Sequence, residues 1–517
     1  MEDEIIENNV KKIHNIKKII PILIEIFFSV ILAYSIYKIY YIKRIEGNFD
    51  YKYIVAGIIS LVSTIVSSYY FLKNNKDNIE KLLICFAIPI GMLYVFFMSP
   101  GFVPDEHAHI WKSYEISTGK LVTEIKENGT APVEVPDFFV YNMIPYCKTY
   151  EGYEKARNKT TNYEKTMEIE TSAQSYPFIL YIPSSLAFFI GRILSINGIF
   201  VIYLARILNF LFFIFIMYYS IKIIPIGKKI LGVILFFPMT MQQAASVSAD
   251  CFVNAVVILF ISYTLYLYKK NKEFSNKEKT FYFILGLLVG ISKIAYVPVI
   301  GLSLLFIKIK NNKKIKNIYI VFFIAVTCII SLGCYLGMQK YEPVKDHKVY
   351  LESANVNSSE QIKSIISEPT HFIKAILYGI KDGMYIEGMI GKELGWRDIV
   401  IPSLVMIIFI GMLILSPFLE KNEELLKNIN KLLILFVFLA TYFLVIMALY
   451  IAWTPVGSDN VAGMQGRYLI PIIILPLICL CKKNRYIEIN KINYIMPVLF
   501  CVLNGLAIMT VGNYFIR

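Results

Sequence analysis

The chain has 517 residues, of which 56% are hydrophobic and only 17% are charged. Charged residues make up about a quarter of an ordinary soluble domain, so this chain has too few of them to cover a water-facing surface. A soluble enzyme, a disordered protein and a disulfide-stabilised scaffold are therefore excluded. The apolar runs are mostly about 20 residues long, the length that spans a bilayer, and they predict an all-α polytopic integral membrane protein.

The charge balance is basic, with a formal net charge of +14. Such a value often indicates binding to nucleic acid. Here the lysines lie in short loops between the apolar runs, which is typical of the cytoplasmic side of membrane proteins. We therefore expect membrane lipids, and no nucleic acid, as partners. The eight cysteines form no CxxC pair and are interpreted as free buried thiols.

The apolar runs define thirteen candidate transmembrane spans. They are 19–41, 53–72, 82–99, 176–194, 199–222, 229–249, 251–268, 281–307, 318–338, 398–418, 431–452, 467–481 and 492–514. Two long polar stretches, 100–175 and 339–397, interrupt them. We predict an N-terminal cytoplasmic segment with a two-helix hairpin (1–80), a membrane domain (81–482) and a C-terminal span (483–517).

The positions of the basic residues predict the orientation in the cell membrane. Four lysines precede the first span, so the N-terminus is expected in the cytoplasm. Three crossings then place 100–175 outside. That side agrees with its charge, because residues 101–175 hold 12 acidic and 8 basic residues, a net of −4.

The basic loops 269–279 and 308–316 should be cytoplasmic, and this creates a problem of parity. Four apolar runs separate 100–175 from the first of these loops, so one of them must either fail to cross or cross twice. We predict that 176–194, with its two prolines, is re-entrant. By the same logic 281–307 is a hairpin of two short helices with Lys293 at its outer tip, and the C-terminus is extracytoplasmic.

Four titratable residues follow the third span directly, in the sequence Pro104-Asp105-Glu106-His107-Ala108-His109. Carboxylates and imidazoles at this density can supply a general base or ligands for a divalent metal. The alternative is an N-capping aspartate followed by a solvated first helical turn. The residues alone leave both interpretations open.

The stretch 110–121 after these residues has the pattern of an amphipathic helix lying on the membrane. Trp111 and Tyr114 would then face lipid. Gly119 would end the helix, because glycine readily adopts the left-handed conformation of a helix terminus.

Two charged residues lie within apolar runs. Asp250, in Ser246-Val-Ser-Ala-Asp250, is either a functional intramembrane acid or the N-cap of the helix that follows it. Lys293 either pairs with an anion, for which a lipid phosphate is plausible, or extends its ammonium to the membrane surface.

A further basic site precedes the span 467–481, in the sequence Gln465-Gly466-Arg467-Tyr468. A guanidinium next to a glycine can bind a phosphate through two parallel hydrogen bonds. The alternative is an ordinary interfacial Arg–Tyr anchor. Arg206 lies in the middle of another run and needs an acid or a phosphate as its partner.

Five short motifs, in this order and spacing, resemble a known family. They are Pro104-Asp105-Glu106-x-x-His109; Pro238-Met239-Thr240 with Ser246-x-Ser248-x-Asp250; Lys293 with Tyr296 and Pro298; Leu394-Gly395-Trp396; and Trp453-Thr-Pro-Val-Gly457 with Gln465-Gly-Arg-Tyr468. The match is to the bacterial membrane proteins catalogued as domain of unknown function 2142, over roughly residues 80 to 480. The sequence departs from the family pattern at His107 and at Ile294. The family looks like a branch of the GT-C glycosyltransferases, which take a sugar from a polyprenyl-phosphate carrier on the outer membrane face.

The resemblance implies a role for each of these residues. Asp105, with Glu106 as the alternative, would be the base for the acceptor hydroxyl, and Asp250 a second acid that orients the acceptor or a metal. Lys293 and Arg467, with Gln465 beside them, would bind the donor phosphate. GT-C enzymes include metal-dependent and metal-independent members, so a divalent ion held by His109 and His107 with the two adjacent carboxylates stays open.

The leading hypothesis is therefore transfer of a sugar from a polyprenyl-phosphate donor to an envelope glycan or lipid. A transporter or flippase of a lipid-linked glycan is the alternative, because broken helices with intramembrane charges suit that function too. A non-catalytic assembly partner is the third. The large outer loops favour the enzyme.

Overall fold

The structure is a computed structural model, which is mainly helical and holds very little sheet in the residues it describes. These are 2–47, 50–75, 78–127, 129–142, 149–270, 272–307, 314–341, 344–381, 384–420, 426–481, 487 and 491–516. Most of the predicted basic loop 308–316 lies outside them.

The described part of the chain holds the following helices. They are α1 (Glu2–Glu46), α2 (Tyr51–Lys73), α3 (Ile79–Phe97), α4 (Glu106–Ser117), α5 (Asp137–Tyr141), α6 (Tyr150–Arg157), α7 (Ile182–Ile193), α8 (Gly198–Ile223), α9 (Lys228–Leu235), α10 (Pro238–Ala244), α11 (Ala249–Lys270), α12 (Asn276–Ser292), α13 (Lys314–Met338), α14 (Lys345–Ser353), α15 (Ser358–Ser367), α16 (Pro369–Lys381), α17 (Met384–Ile390), α18 (Ser403–Leu415), α19 (Asn428–Ala452), α20 (Ile474–Leu480) and α21 (Ile492–Phe515). Four 3-10 helices cover Phe178–Tyr181, Ile294–Phe306, Ser416–Leu419 and Gly466–Leu469. Strand β1 (Val133–Pro136) pairs antiparallel with β2 (Thr166–Ile169), and β3 (Glu393–Leu394) pairs antiparallel with β4 (Ile399–Val400).

Eight helices within the described residues are long and apolar enough to cross a membrane. They are Ile19–Ile45 of α1, α2, α3, α8, α11, Tyr319–Met338 of α13, α19 and α21. Each coincides with a predicted span, which confirms an all-α membrane protein. The predicted count of thirteen is not confirmed, because the other five apolar runs form shorter or interrupted helices.

Proline and extended backbone cause several of these interruptions. The run 229–249 is divided into α9 and α10 at Pro238, which lacks an N–H and is favoured at the start of a helix. The run 281–307 is divided at Lys293, whose φ of −151° and ψ of 125° are extended. The predicted break at Lys293 is therefore confirmed, whereas the re-entrant path of 176–194 stays a prediction.

Helices α1 and α2 pack on each other, and α1 also contacts the first polar stretch. The buried face of α2 consists of small residues, Gly57, Ser60, Thr64 and Ser67, which allow close approach of a neighbouring helix. At the other end, the buried Lys38 of α1 donates a hydrogen bond of 2.6 Å to Glu154 of α6. The hairpin thus contacts both the membrane helices and the 100–175 stretch.

Helix α4 is not a surface helix, which corrects the expectation for 110–121. Trp111 and Tyr114 are only 9% and 3% exposed and belong to the main hydrophobic core. The indole N–H of Trp111 donates to the carbonyl oxygen of Phe139 at 3.1 Å. Every residue from Ile110 to Ser117 is buried, so the helix packs on protein on all sides. Gly119, with φ +94°, follows the end of the helix as predicted.

Candidate functional site

Four charged residues from distant parts of the sequence meet in one place, and we call Asp105, Asp250, Lys293 and Arg467 the central cluster. Lys293 Nζ lies 2.5 Å from Asp250 Oδ1. Arg467 Nε lies 3.5 Å from Asp250 Oδ2, and its Nη2 lies 3.7 Å from Asp105 Oδ2. The cluster therefore contains two acids and two cations, with Arg467 between the carboxylates.

Asp105 occupies the N-cap position of α4 in a left-handed conformation, φ 62° and ψ 4°. Its side chain makes no capping hydrogen bond, and 45% of the side chain is exposed. The capping interpretation is therefore correct for the position and wrong for the carboxylate. A left-handed conformation is unfavourable for a residue with a Cβ, and such conformations cluster at functional sites.

Asp250 lies in the first turn of α11 and is not its N-cap. Its own backbone N–H donates to the hydroxyl of Ser248 at 3.1 Å. Its carboxylate accepts from Lys293 instead, and only 14% of the side chain is exposed. The alternative that Asp250 merely caps the helix is therefore wrong.

Lys293 lies between α12 and the 3-10 helix Ile294–Phe306 and turns inward to the cluster. Its ammonium lies 5.4 Å from the centre of the Tyr468 ring, and 23% of the side chain is exposed. The hydroxyl of Tyr296 donates to the backbone carbonyl of Tyr468 at 2.9 Å and joins the two segments. Lys293 is thus paired with an anion, which was one of the two interpretations of this residue in the sequence.

Arg467 is only 8% exposed, and its hydrogen-bonding capacity is poorly used. Its Nε–H is buried and has no hydrogen-bond partner among the described residues. A buried donor without a partner is costly, so such a group marks a place where a ligand can bind. Gln465 is partly buried two residues away, and its predicted contact with phosphate stays a prediction.

A glycine positions Arg467. A Cβ on Gly466 would lie 2.2 Å from both the backbone nitrogen of Met389 and the carbonyl oxygen of Tyr385. Both atoms belong to α17, so the second polar stretch, 339–397, lies directly on the segment that carries Arg467.

Glu106 is the partner that Arg206 needs, and it does not join the central cluster. Both side chains have no exposed surface. Arg206 donates to Glu106 Oε1 at 2.8 Å and Oε2 at 2.6 Å, and also to the carbonyl oxygens of Val95, Met98 and Ser99. The backbone N–H groups of Gly101 and Val247 complete the shell of the carboxylate, at 2.8 and 3.0 Å.

These contacts correct the prediction that Glu106 could act as the base. Its two oxygens are fully occupied and out of contact with solvent. They hold together the segment before Asp105 and the segment before Asp250. Glu106 is therefore a positioning residue. The position of Arg206 within an apolar run was the signal for this pair, but its partner was not identifiable from the sequence.

The two histidines take different positions. His109 Nδ1 and the hydroxyl of Tyr181 are hydrogen-bonded at 2.8 Å. Loss of hydration lowers the pKa of His109 to about 4, although Asp105 and Asp250 act in the opposite direction. His107 stacks on Trp396 and packs edge-on against Trp111.

The four residues considered as metal ligands therefore do not converge. Glu106 faces Arg206, His109 faces Tyr181, and His107 faces two indoles. Within the part of the chain that the structure describes, no group of three or more His, Cys, Asp or Glu residues is placed to hold a metal ion. This corrects the proposed ligand set.

The fold and the site define a polytopic membrane protein with a charged cluster beside two folded polar stretches. The family model described as predicted membrane protein, domain of unknown function 2142, matches residues 88–476, and the chain belongs to this family. No curated protein and no solved structure matches the chain. The matched segment contains the whole central cluster.

Proposed function

We propose that the protein is a membrane glycosyltransferase of the GT-C type, which transfers a sugar from a polyprenyl-phosphate donor to an envelope glycan or lipid on the outer membrane face. The observation that carries this proposal is the buried Nε–H of Arg467, which lacks a hydrogen-bond partner beside the ammonium of Lys293. A guanidinium whose Nε–H lacks a hydrogen-bond partner, next to a second cation, suits a phosphate, because a guanidinium can donate two parallel hydrogen bonds.

The donor side of the site consists of Lys293 and Arg467, with Gln465 beside them. Negative charge develops on the phosphate as its bond to the anomeric carbon breaks. Cations held in place before the reaction stabilise that charge without reorganisation. Asp250 pairs with both cations in the structure and keeps them in position.

The acceptor side is Asp105. Its carboxylate is half exposed, makes no capping bond and can accept the proton of an incoming hydroxyl group. The hydroxyl oxygen then forms a bond to the anomeric carbon. The bond between this carbon and the phosphate oxygen breaks, and its electron pair stays on the phosphate. The products are the glycosylated acceptor and polyprenyl phosphate.

The test uses cells that lack the native gene and carry Asp105→Asn or Lys293→Met, together with the purified proteins in nanodiscs. Loss of a general base lowers the rate about 100-fold or more. Asp105→Asn should therefore abolish the glycan product, seen by mass spectrometry of the envelope, while the binding of polyprenyl monophosphate is retained. Lys293→Met should weaken that binding.

The matched controls are Asp137→Asn and Lys165→Met, which remove an ion pair of 2.9 Å in the same polar stretch. Lys165 is 72% exposed, and exposed pairs contribute little, so both variants should behave as the parent does. Unchanged glycans in the Asp105→Asn strain would overturn the proposal that the protein is a glycosyltransferase. Accumulation of a lipid-linked glycan in the inner leaflet would favour the flippase instead.

A further inference from the structure

Trp396 is unusual among the three tryptophans because its ring is open to the surroundings. It is 42% exposed, whereas Trp111 is 9% exposed and packed in the core. An indole has a large apolar face and gains free energy when something flat covers that face. Neither the proposed donor side nor the base accounts for this residue.

A rigid turn presents Trp396. The strands β3 and β4 pair through Glu393 with Val400 and Leu394 with Ile399, and the turn between them carries the indole. Both neighbours of Trp396 have positive φ, +61° at Gly395 and +74° at Arg397. The second value is unfavourable for a residue with a side chain, and such strain persists only where the surrounding structure imposes it.

Two contacts fix this turn against the membrane domain. The backbone N–H of Gly395 donates to the side-chain oxygen of Gln242, in α10, at 2.8 Å. A Cβ at Gly395 would lie 2.4 Å from the ring of Phe102, so the turn packs tightly against the segment that leads to Asp105.

The indole of Trp396 lies against His107, in the first turn of α4. Its ring lies 6.2 Å from that of His107, with 30° between the two planes. His107 in turn packs edge-on against Trp111, at 5.1 Å and 78°. His107 is two residues from Asp105 in the sequence, so the turn that carries Trp396 lies close to the start of α4.

We propose that Trp396 forms a carbohydrate subsite, in which its open face binds a pyranose ring of the acceptor. The flat side of a pyranose presents C–H groups with partial positive charge, and the face of an aromatic ring carries negative charge. Stacking covers the indole and leaves the ring hydroxyls at the edge, where one of them can face Asp105. The assignment to the acceptor depends on the proposed glycosyltransferase, whereas the carbohydrate subsite itself does not.

A membrane anchor is the competing role, because tryptophans are frequent at membrane interfaces. The charged neighbours argue against it here. Arg397 follows Trp396 directly, is 64% exposed and forms an ion pair of 2.7 Å with Glu393 across the turn. From this exposed ion pair we expect the tip of the turn to lie in water.

The test is fluorine NMR of the full-length protein in nanodiscs, labelled with 5-fluorotryptophan. Three tryptophans give three resonances, and Trp396→Phe identifies the one of interest. The probes are methyl glucopyranoside, methyl galactopyranoside and methyl N-acetylglucosaminide. Sorbitol is the control, because it is an open-chain polyol that carries hydroxyl groups and has no flat ring.

We expect the Trp396 resonance to shift saturably with at least one pyranoside and not with sorbitol, while the other two resonances stay unchanged. Aromatic stacking contributes about 0.5–1.5 kcal/mol, so Trp396→Leu should weaken the binding, measured calorimetrically, about 2- to 12-fold. Trp396→Phe, which keeps a smaller flat ring, should recover part of it. Absence of a shift with every pyranoside would overturn the proposal, and so would selective broadening of the Trp396 signal by a spin-labelled lipid.

The outcome of this measurement can be distinguished from the outcome of the test of the proposed function. Pyranoside binding without any Asp105-dependent sugar transfer would support the carbohydrate subsite and contradict the proposed glycosyltransferase activity. Asp105-dependent sugar transfer without pyranoside binding would support the glycosyltransferase activity and contradict the carbohydrate subsite.

Discussion

Asp105 and Glu106 are adjacent carboxylates with opposite environments. The side chain of Asp105 is 45% exposed and faces Arg467, whereas that of Glu106 has no exposed surface and is bonded to Arg206. The difference arises because the helix α4 begins between them. Asp105 remains outside the first turn, and Glu106 is carried into the protein.

This difference in environment predicts opposite effects for the variants Glu106→Gln and Asp105→Asn. Glu106→Gln removes one charge of a fully buried ion pair, which costs about 3–5 kcal/mol, because Arg206 is left uncompensated. We expect a large fall in the thermal midpoint of the detergent-solubilised protein. Asp105→Asn should leave the midpoint almost unchanged and abolish transfer.

The reverse pattern would contradict these assignments. If Glu106→Gln kept the midpoint of the parent and lost transfer, Glu106 would be the base. Asp105 would then be the residue that only positions its neighbour.

At the scale of elements, the short helix α17 controls where Arg467 lies. Gly466 allows the backbone of α17 to approach more closely than any other residue could. The second polar stretch is thus part of the site, although it contributes no residue to the central cluster.

We therefore expect Gly466→Ala to disturb the position of Arg467, although Gly466 is not itself part of the central cluster. The new Cβ would meet backbone atoms at 2.2 Å, so α17 or the Arg467 segment must move. Overpacking of this kind costs about 1–3 kcal/mol. Affinity for polyprenyl monophosphate in nanodiscs should fall together with the thermal midpoint.

Gly505→Ala is the matched control for that variant. Gly505 lies inside α21, and, apart from the nearby backbone of its own helix, nothing lies within 4 Å of the position of its Cβ among the described residues. Because alanine is preferred over glycine in a helix, this change should be neutral or slightly stabilising. Equal behaviour of the two variants would show that α17 does not set the position of Arg467.

At the scale of the whole molecule, the parity of the spans predicted that the charged segments share one side of the membrane. The structure brings Asp250 and Lys293 into contact, with Asp105 and Arg467 beside them, so the four residues do lie together. Which side of the membrane they face is a prediction from the basic loops.

Labelling of introduced cysteines tests that orientation. The native Cys251 is unsuitable because it is only 2% exposed. Lys120→Cys places a thiol at an exposed site of the first polar stretch, and Lys277→Cys places one at an exposed site in the first turn of α12, within the predicted basic loop 269–279. With a membrane-impermeant maleimide, the first should label in intact cells beyond the level of the parent.

The second variant should label only after permeabilisation. Labelling of both in intact cells would show that the two segments lie on the same side. The predicted orientation would then be wrong, and with it the assignment of the site to the outer face.

Single-residue signals in the sequence were more informative about the site than about the fold. Charges within apolar runs are expensive, so Asp250, Lys293 and Arg206 were identifiable as residues that need partners. The count of thirteen spans is not confirmed, because a run such as 229–249 is apolar along its whole length, and length and composition do not show that Pro238 divides it.

The sequence by itself determined the class of protein, the eight long spans and the family, because these follow from apolar length and from ordered motifs. Tertiary structure alone decided the pairs. Glu106 could have been the base, and Trp111 could have faced lipid, as far as local pattern shows. Which charges neutralise one another depends on contacts between residues as far apart in sequence as Glu106 and Arg206, and burial forces each of them to find one partner.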